Sequence, residues 1–208
     1  MDLTQKADRF RKAVLEFYSS DSVLNGCDDP VSKNHVQTVV DAIARPLPIN
    51  TALEPLQQTV NRYWDQVTAK PHPLFTDIVD TSRAIEGALY WLTNTTYIGI
   101  FNAHFFDNEA YAEVIGPNGL LQCDDCRVGW ILFGENLDYP SHHHESAELY
   151  HCVSGTGTWQ QGRDEPSLKA PGSAIFHDQW QPHAMRTTEP CLNLWSWTGN
   201  LFSPSTAI

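Results

Sequence analysis

Twelve consecutive residues, Tyr139-Pro140-Ser141-His142-His143-His144-Glu145-Ser146-Ala147-Glu148-Leu149-Tyr150, hold three histidines, two glutamates and two tyrosines. In an extended strand successive side chains point to opposite faces, so His142, His144, Glu148 and Tyr150 fall on one face. Two imidazoles and a carboxylate converging on one point make a divalent-metal site that leaves coordination positions open for a substrate. A metal with open positions points to chemistry. By the same parity His143, Glu145 and His151 are expected on the opposite, outward face.

These residues need a scaffold that holds short strands edge to edge, and the second half of the chain reads that way. From about residue 95 the segments are short, β-branched or aromatic, and broken by Gly, Pro and Asn-Gly. Candidate strands are Thr96–Ala103, Ala110–Ile115, Arg127–Phe133, Ala147–Val153, Gly157–Gln161, Ser173–Phe176, His183–Thr187 and Leu192–Trp197. Many short strands with turns between them suggest a jelly-roll barrel or sandwich.

Residues 1–90 read as helical. Leu3, Ala7, Phe10, Val14 and Phe17 recur at helical spacing, with Asn25-Gly26 as the stop. Asp29-Pro30 supplies an N-cap and a first-turn proline for a second helix carrying Val36, Val39, Val40 and Ile43. Thr51 with Glu54 has the spacing of a capping box for a third, through Leu56, Val60, Tyr63, Trp64 and Val67. A fourth is expected within Phe75–Tyr90. The fold class is therefore α+β, mostly β: an N-terminal helical layer (1–90) against a C-terminal β-barrel (95–208), the whole of 1–208 forming one domain.

Composition bounds the partners. The chain has 208 residues, 41% of them apolar, with seven Trp, seven Tyr and nine Phe, enough for a substantial core. A net charge of −12 argues against nucleic acid and anionic membrane as partners. No apolar run approaches the roughly 20 residues of a membrane span, and Met1–Arg9 lacks the apolar stretch of a signal peptide, so the expectation is a cytoplasmic protein, monomer or homodimer. Cys123-Asp124-Asp125-Cys126 is a single CxxC with no second pair and reads as two reduced thiols in an acidic loop.

The motif around His142 has a sequel. Gly155 follows Glu148 at a position suited to a hairpin turn, and downstream come Pro171-Gly172, His177 and then Gln181-Pro182-His183. The pattern Gly, His-x-His, Glu, Gly, followed by Pro-Gly and a distant His, resembles the two motifs of the cupin superfamily, over about Gly134–Thr187. The resemblance implies that His142, His144, Glu148 and His183 bind one divalent transition metal (Fe2+, Mn2+, Zn2+, Ni2+ or Co2+) inside a jelly-roll barrel. His177 stands where many cupins have proline and is read as a non-ligand. His104, at the end of an early candidate strand, is read as a core histidine.

The tyrosines narrow the resemblance. Tyr139-Pro-x-His142-x-His144 and Glu148-Leu-Tyr150 together resemble the cupin-type dimethylsulfoniopropionate lyases of marine bacteria. So do the stretch Ala112–Leu121 leading to Arg127-Val-Gly-Trp130, and the helical region before the barrel. The resemblance implies a lyase that releases dimethyl sulfide and acrylate, with Tyr150 as the base and the substrate carboxylate on the metal. Tyr139 would bind the substrate or position the base. The substrate class is a small zwitterionic sulfonium compound. Aromatic faces attract onium groups, and Trp180, before Trp159, Trp195, Trp197 and Tyr97, is the first choice for that contact. Two other readings share the ligand set: an Fe(II) cupin dioxygenase acting on a small organic acid, and a non-catalytic metal-binding cupin.

Overall fold

The computed structural model describes residues 1–24, 27 and 29–208, so the expected Asn25-Gly26 helix stop lies outside the described residues. The described helices are α1 (Leu3–Tyr18), α2 (Asp21–Leu24), α3 (Pro30–Ile43), α4 (Trp64–Thr68), α5 (Thr76–Arg83) and α6 (Ala103–Asn108). The strands are β1 (Trp91–Leu92), β2 (Glu109–Gly116), β3 (Leu121–Gln122), β4 (Arg127–Phe133), β5 (Asp138–His143), β6 (Ala147–Ser154), β7 (Gly157–Gln161), β8 (Ser167–Lys169), β9 (Ala174–His177), β10 (His183–Thr187), β11 (Cys191–Thr198) and β12 (Thr206–Ala207).

The strands divide between two sheets. The larger runs β1-β2-β4-β11-β6-β9, with β3 beside β2; the smaller runs β12-β5-β10-β7-β8. Sequence neighbours β5 and β6 lie in different sheets, as do β9 and β10. The chain therefore crosses repeatedly between the two layers, in the jelly-roll arrangement expected of a cupin.

Register places residues on the inner face of the larger sheet in rows. Glu148 lies between His177 and Trp197, and Trp197 pairs with Arg127. The next row is Ile175, Tyr150, Trp195, Gly129 and Glu113, and the next is Cys152, Asn193, Ile131 and Tyr111. The outer face carries the opposite parity: Leu149, Val153, Trp130, Leu132, Leu192 and Leu194, all buried. The helices cover it. Phe10 and Val14 of α1 and Val36 and Val39 of α3 join those strand residues in one continuous cluster. Removing a ring such as that of Phe10, which sits 6.4 Å from Trp130, costs about 3–5 kcal/mol.

The helices begin where their caps are. Asp29 accepts hydrogen bonds from Val31 N and Ser32 N, and Pro30 takes the first turn. The expected third helix is shorter. Pro55 pushes Glu54 towards extended backbone. Leu56 then bridges Tyr90 in parallel, and its carbonyl accepts from Trp91 N. Helical structure starts only at Thr59, with Gln58 and Asn61 capping reciprocally. The candidate strand Thr96–Ala103 is not a strand. Asn94 caps a 3-10 turn, Gly99 takes a positive φ of 82°, and Asn102 caps α6 through Phe105 N.

Two sequence expectations outside the site resolve differently. His104 is not a core histidine; it lies exposed on α6 with Nε2 on the Asn136 carbonyl. His151 does point away from the inner face, yet it is buried, edge-on to Phe17 at 4.8 Å and Tyr18 at 5.5 Å, because α1 covers that side. Cys123 and Cys126 are buried thiols with their sulfurs 3.9 Å apart. No helix of the described residues is long and apolar enough to cross a membrane.

Candidate metal centre and its cavity

One nitrogen from each of His142, His144 and His183 lies within 4.8 Å of the others, and all three side chains are buried. They come from two strands and a connection. His142 is in β5, His144 is in the link to β6, and His183 opens β10 directly opposite His142. The sharp turn at Gly155 returns the chain after β6. Its φ is +72°, and a side chain there would collide with the Pro190 carbonyl, so only glycine fits.

Each of these imidazoles is oriented by a backbone carbonyl two residues away. His142 Nδ1 is 2.9 Å from Pro140 O, His144 Nδ1 2.9 Å from Ser146 O and His183 Nδ1 2.9 Å from Gln181 O. A carbonyl only accepts, so each Nδ1 carries the proton and each Nε2 presents a lone pair. This is how proteins prepare histidine for a metal. His183 Nε2 has no hydrogen-bond partner despite its burial.

Glu148 completes the arrangement from β6. Its Oε2 is 3.1 Å from His144 Nε2 and 3.4 Å from His183 Nε2, while its Oε1 accepts from Trp197 Nε1 at 2.7 Å. Burial opposes its ionisation, but His144 and His183, when they also carry a proton on Nε2, outweigh burial and hold the carboxyl well below its ordinary range, and a bound cation would supply that positive charge in their place. His142 is driven the other way, well below the usual imidazole range, by burial and then by His183, so it stays neutral. Three neutral-capable nitrogens, an ionised carboxylate and an orphaned buried Nε2 fit a divalent transition metal.

His177 stacks on His183 with ring centroids 4.0 Å apart and planes within 13°, and neither of its nitrogens has a partner. It falls outside the three-histidine group but on the same inner face, as its pairing with Glu148 requires. Its parity within β9 could have signalled this only once the register with β6 was known.

The centre opens into a cavity of about 280 Å³ whose walls include His142, His144, Glu148, Tyr139 and Tyr150. Tyr150 is 4% exposed, and burial, then Glu148 beside it, push its phenol well above the usual range. Tyr139 is likewise raised by burial and by Tyr97. Tyr139 lies parallel to His142 at 4.3 Å.

The aromatic expectations sort unevenly. Trp180 is not in the cavity wall: it is 51% exposed, edge-on to His143, and held at a positive φ of 60° while its backbone N–H donates to His144 O. Trp195 and Trp197 do line the cavity. Trp159 packs on Tyr150 from behind, and Tyr97 packs on Tyr139 and His142. Glu145, expected to be free on the surface, is half-buried: its N–H donates to Ser203 Oγ and its carboxylate accepts from Asn200. It thereby ties down residues 201–205, which form part of the cavity wall.

The wall also holds polar and charged residues that the sequence did not mark as site residues, among them Glu109, Tyr111 and Arg127. They share the inner face of β2 and β4, and although Arg127 stands in a stretch that carried the family resemblance, nothing local to it or to Glu109 and Tyr111 signals a place in the cavity. Arg127 pairs with Glu113 at 2.6 Å and stacks over Trp195 and Trp197.

Residues 31–193 match the family profile of dimethylsulfoniopropionate (DMSP) lyases. Among curated proteins, a putative DMSP lyase DddL of Cereibacter sphaeroides is 32% identical over 93 residues, 44% of this chain and 39% of that one. The DMSP lyase DddQ of Ruegeria pomeroyi is 32% identical over 108 residues, 51% of this chain and 54% of that one. The match thus spans about half the length, or less, of these relatives. The crystal structure of the Ruegeria pomeroyi DddQ superposes with a TM-score of 0.73 at 22% identity, over 96% of this chain and 95% of that one. A chain from crystal structures of the DMSP lyases RdDddP and RnDddQII gives 0.75 at 21% identity, over 98% of both. At those identities the superpositions establish a common fold.

Proposed function

The chain belongs to the DMSP lyase family, and from that footing we propose that it cleaves DMSP to dimethyl sulfide and acrylate by β-elimination in the cavity beside His142, His144, Glu148 and His183. The observation that carries this reading is the set of three imidazoles, each with Nδ1 spent on a backbone carbonyl, facing an ionised carboxylate at one end of a cavity lined by two tyrosines. These four side chains would hold one divalent cation. When bound, such a cation supplies positive charge that takes the substrate carboxylate, acidifies the adjacent C–H and favours the phenolate of a tyrosine beside it.

Tyr150 is the base. It follows Glu148 at the same strand parity and lines the same cavity. Its phenolate oxygen takes the proton from the carbon next to the carboxylate. The C–H electrons become the C=C bond, the bond from the next carbon to sulfur breaks with its electron pair on sulfur, and dimethyl sulfide leaves from acrylate. Tyr150 then returns the proton to solvent. Tyr139, stacked on His142 in the cavity wall, orients the substrate. Trp195 and Trp197 offer aromatic faces to the departing sulfonium, the contact first expected of Trp180. Tyr139, His142, Glu148 and Tyr150 are buried, and a lowered local dielectric strengthens each of these electrostatic effects. We read the whole chain as one domain, since helices and sheet share one buried cluster.

The test is to load purified protein with Mn2+, Fe2+ or Zn2+, add DMSP without oxygen, and measure headspace dimethyl sulfide. Release of dimethyl sulfide with equimolar acrylate supports the reading. No product with any metal sinks it, and turnover only in oxygen points to a dioxygenase.

A further inference from the structure

Two acidic side chains sit on the inner face of β2, and they are treated differently. Glu113 has a matched cation, Arg127, at 2.6 Å. Glu109, the first residue of the strand, has none: it takes part in no ion pair among the described residues. Its side chain is fully buried. Oε2 accepts one hydrogen bond, from Asn94 N at 3.2 Å, and Oε1 has no partner. Arg127 lines the same cavity but is committed to Glu113, to the Leu201 carbonyl and to the faces of Trp195 and Trp197.

Burial pushes its carboxyl up to about 8, so with no cation beside it Glu109 holds its proton at neutral pH and gives it up when one arrives. Native structures keep such unpartnered buried groups where something from outside completes them. Glu109 lines the cavity that Tyr139 and Tyr150 share. Tyr111, Tyr139, Tyr150, Trp195 and Trp197 line the same cavity, so Glu109 shares these walls with aromatic rings. An unmatched carboxylate among aromatic faces is the environment that suits an onium cation: the rings receive the methyl groups and the carboxylate supplies the counter-charge. A metal would be served poorly there, since Glu109 brings no imidazole or second carboxylate with it.

Resting on the DMSP reading above, we propose that Glu109 is the counter-ion for the onium end of the substrate and the residue that makes the cavity select a zwitterion over an uncharged acid of the same shape. The carboxylate end then belongs to the histidine centre, and the cationic end to Glu109. Uncharged thioether or branched-alkyl acids would meet the same walls but give Glu109 no cation to ionise beside.

Calorimetric titration of the metal-loaded full chain tests this with two probes of equal shape that lack the sulfonium leaving group, 3-(trimethylammonio)propanoate and 4,4-dimethylpentanoate. The wild type is expected to favour the onium compound by about tenfold or more. Glu109→Gln should erase that preference while the uncharged acid binds within about twofold of wild type. Glu109→Asp, which keeps the charge but withdraws it, should reduce the preference and serves if Glu109→Gln does not fold. No onium preference in the wild type, an unchanged preference in both variants, or equal weakening of both probes would overturn the proposal. Onium selectivity that depends on Glu109 in a protein releasing no dimethyl sulfide would refute the DMSP reading and leave this one standing. Robust turnover with no Glu109 effect would do the reverse.

Discussion

Tyr139 and His142 stack face to face, 4.3 Å apart and within 9° of parallel, although simple alternation would put them on opposite faces of β5. The reason is one extra residue. His183 pairs with His142 and Met185 with Tyr139, so three steps on β5 oppose two on β10. The bulge at Pro140-Ser141 turns Tyr139 inward, and the Pro140 carbonyl orients His142 at the same point. Deleting Pro140 should remove the bulge and leave Tyr139 and His142 two steps apart, still on one face, but it takes away the carbonyl that orients His142 and should lower both bound metal and dimethyl sulfide release. Tyr139→Phe keeps the stack and should keep the metal, with turnover reduced about 10- to 100-fold. A Pro140 deletion variant with wild-type metal content and rate would refute this account of the bulge.

Base and ligands separate by elemental analysis. Tyr150→Phe should retain the metal and lose at least about 100-fold in turnover. His144→Ala or Glu148→Ala should instead lose metal. Near-full activity in Tyr150→Phe would remove it as the base, and unchanged metal in the other two would remove them as ligands.

Trp197 is the residue that aims Glu148, through the 2.7 Å bond from Nε1 to Oε1. Trp197→Phe keeps the ring on the cavity wall and deletes the donor. Metal affinity, measured by competition with a chelator, should fall by about 10- to 100-fold, as expected when an orienting partner of a ligand is lost. An unchanged dissociation constant would mean the bond does not orient Glu148.

Acid stability should track two histidines outside the cavity. Burial lowers His35 to about 4, and burial with His35 nearby lowers His151 to about 3, both from 6.5. Between these values the unfolded chain binds protons that the native state refuses. This stability is complete above pH 6.5 and is lost as pH falls through the window. His151→Phe removes one such group from the contact with Phe17 and Tyr18. Its unfolding free energy should drop less than that of wild type between pH 6.5 and 4.5, by roughly 2–3 kcal/mol. Parallel losses in urea titrations at the two pH values would count against it.

Local signals carried the sequence a long way. Strands such as Arg127–Phe133, Gly157–Gln161 and His183–Thr187 have the same limits in the structure, because β-branched and aromatic runs between turn residues leave little choice. The Asp29-Pro30 cap did the same for α3. Failures came where a local pattern met a long-range partner. Thr51 and Glu54 have capping-box spacing, but pairing of Leu56 with Tyr90 holds that segment extended.

The divide at the site has the same cause. Parity grouped His142, His144, Glu148 and Tyr150 as if they shared one strand. They lie instead on β5, on its link and on β6, in two facing sheets that bring all four to one cavity. Parity cannot say what lies across the cavity. The seating of Glu109, Tyr111 and Arg127 in its wall depends on the register of β2 and β4, and the stacking of His177 on His183 on the approach of two sheets. The inward turn of Tyr139 depends on a bulge visible only against β10. The exclusion of Trp180 depends on a left-handed turn pinned to the His144 carbonyl. By itself the sequence determined which residues can do chemistry. Only pairing between distant strands decided which of them face one another.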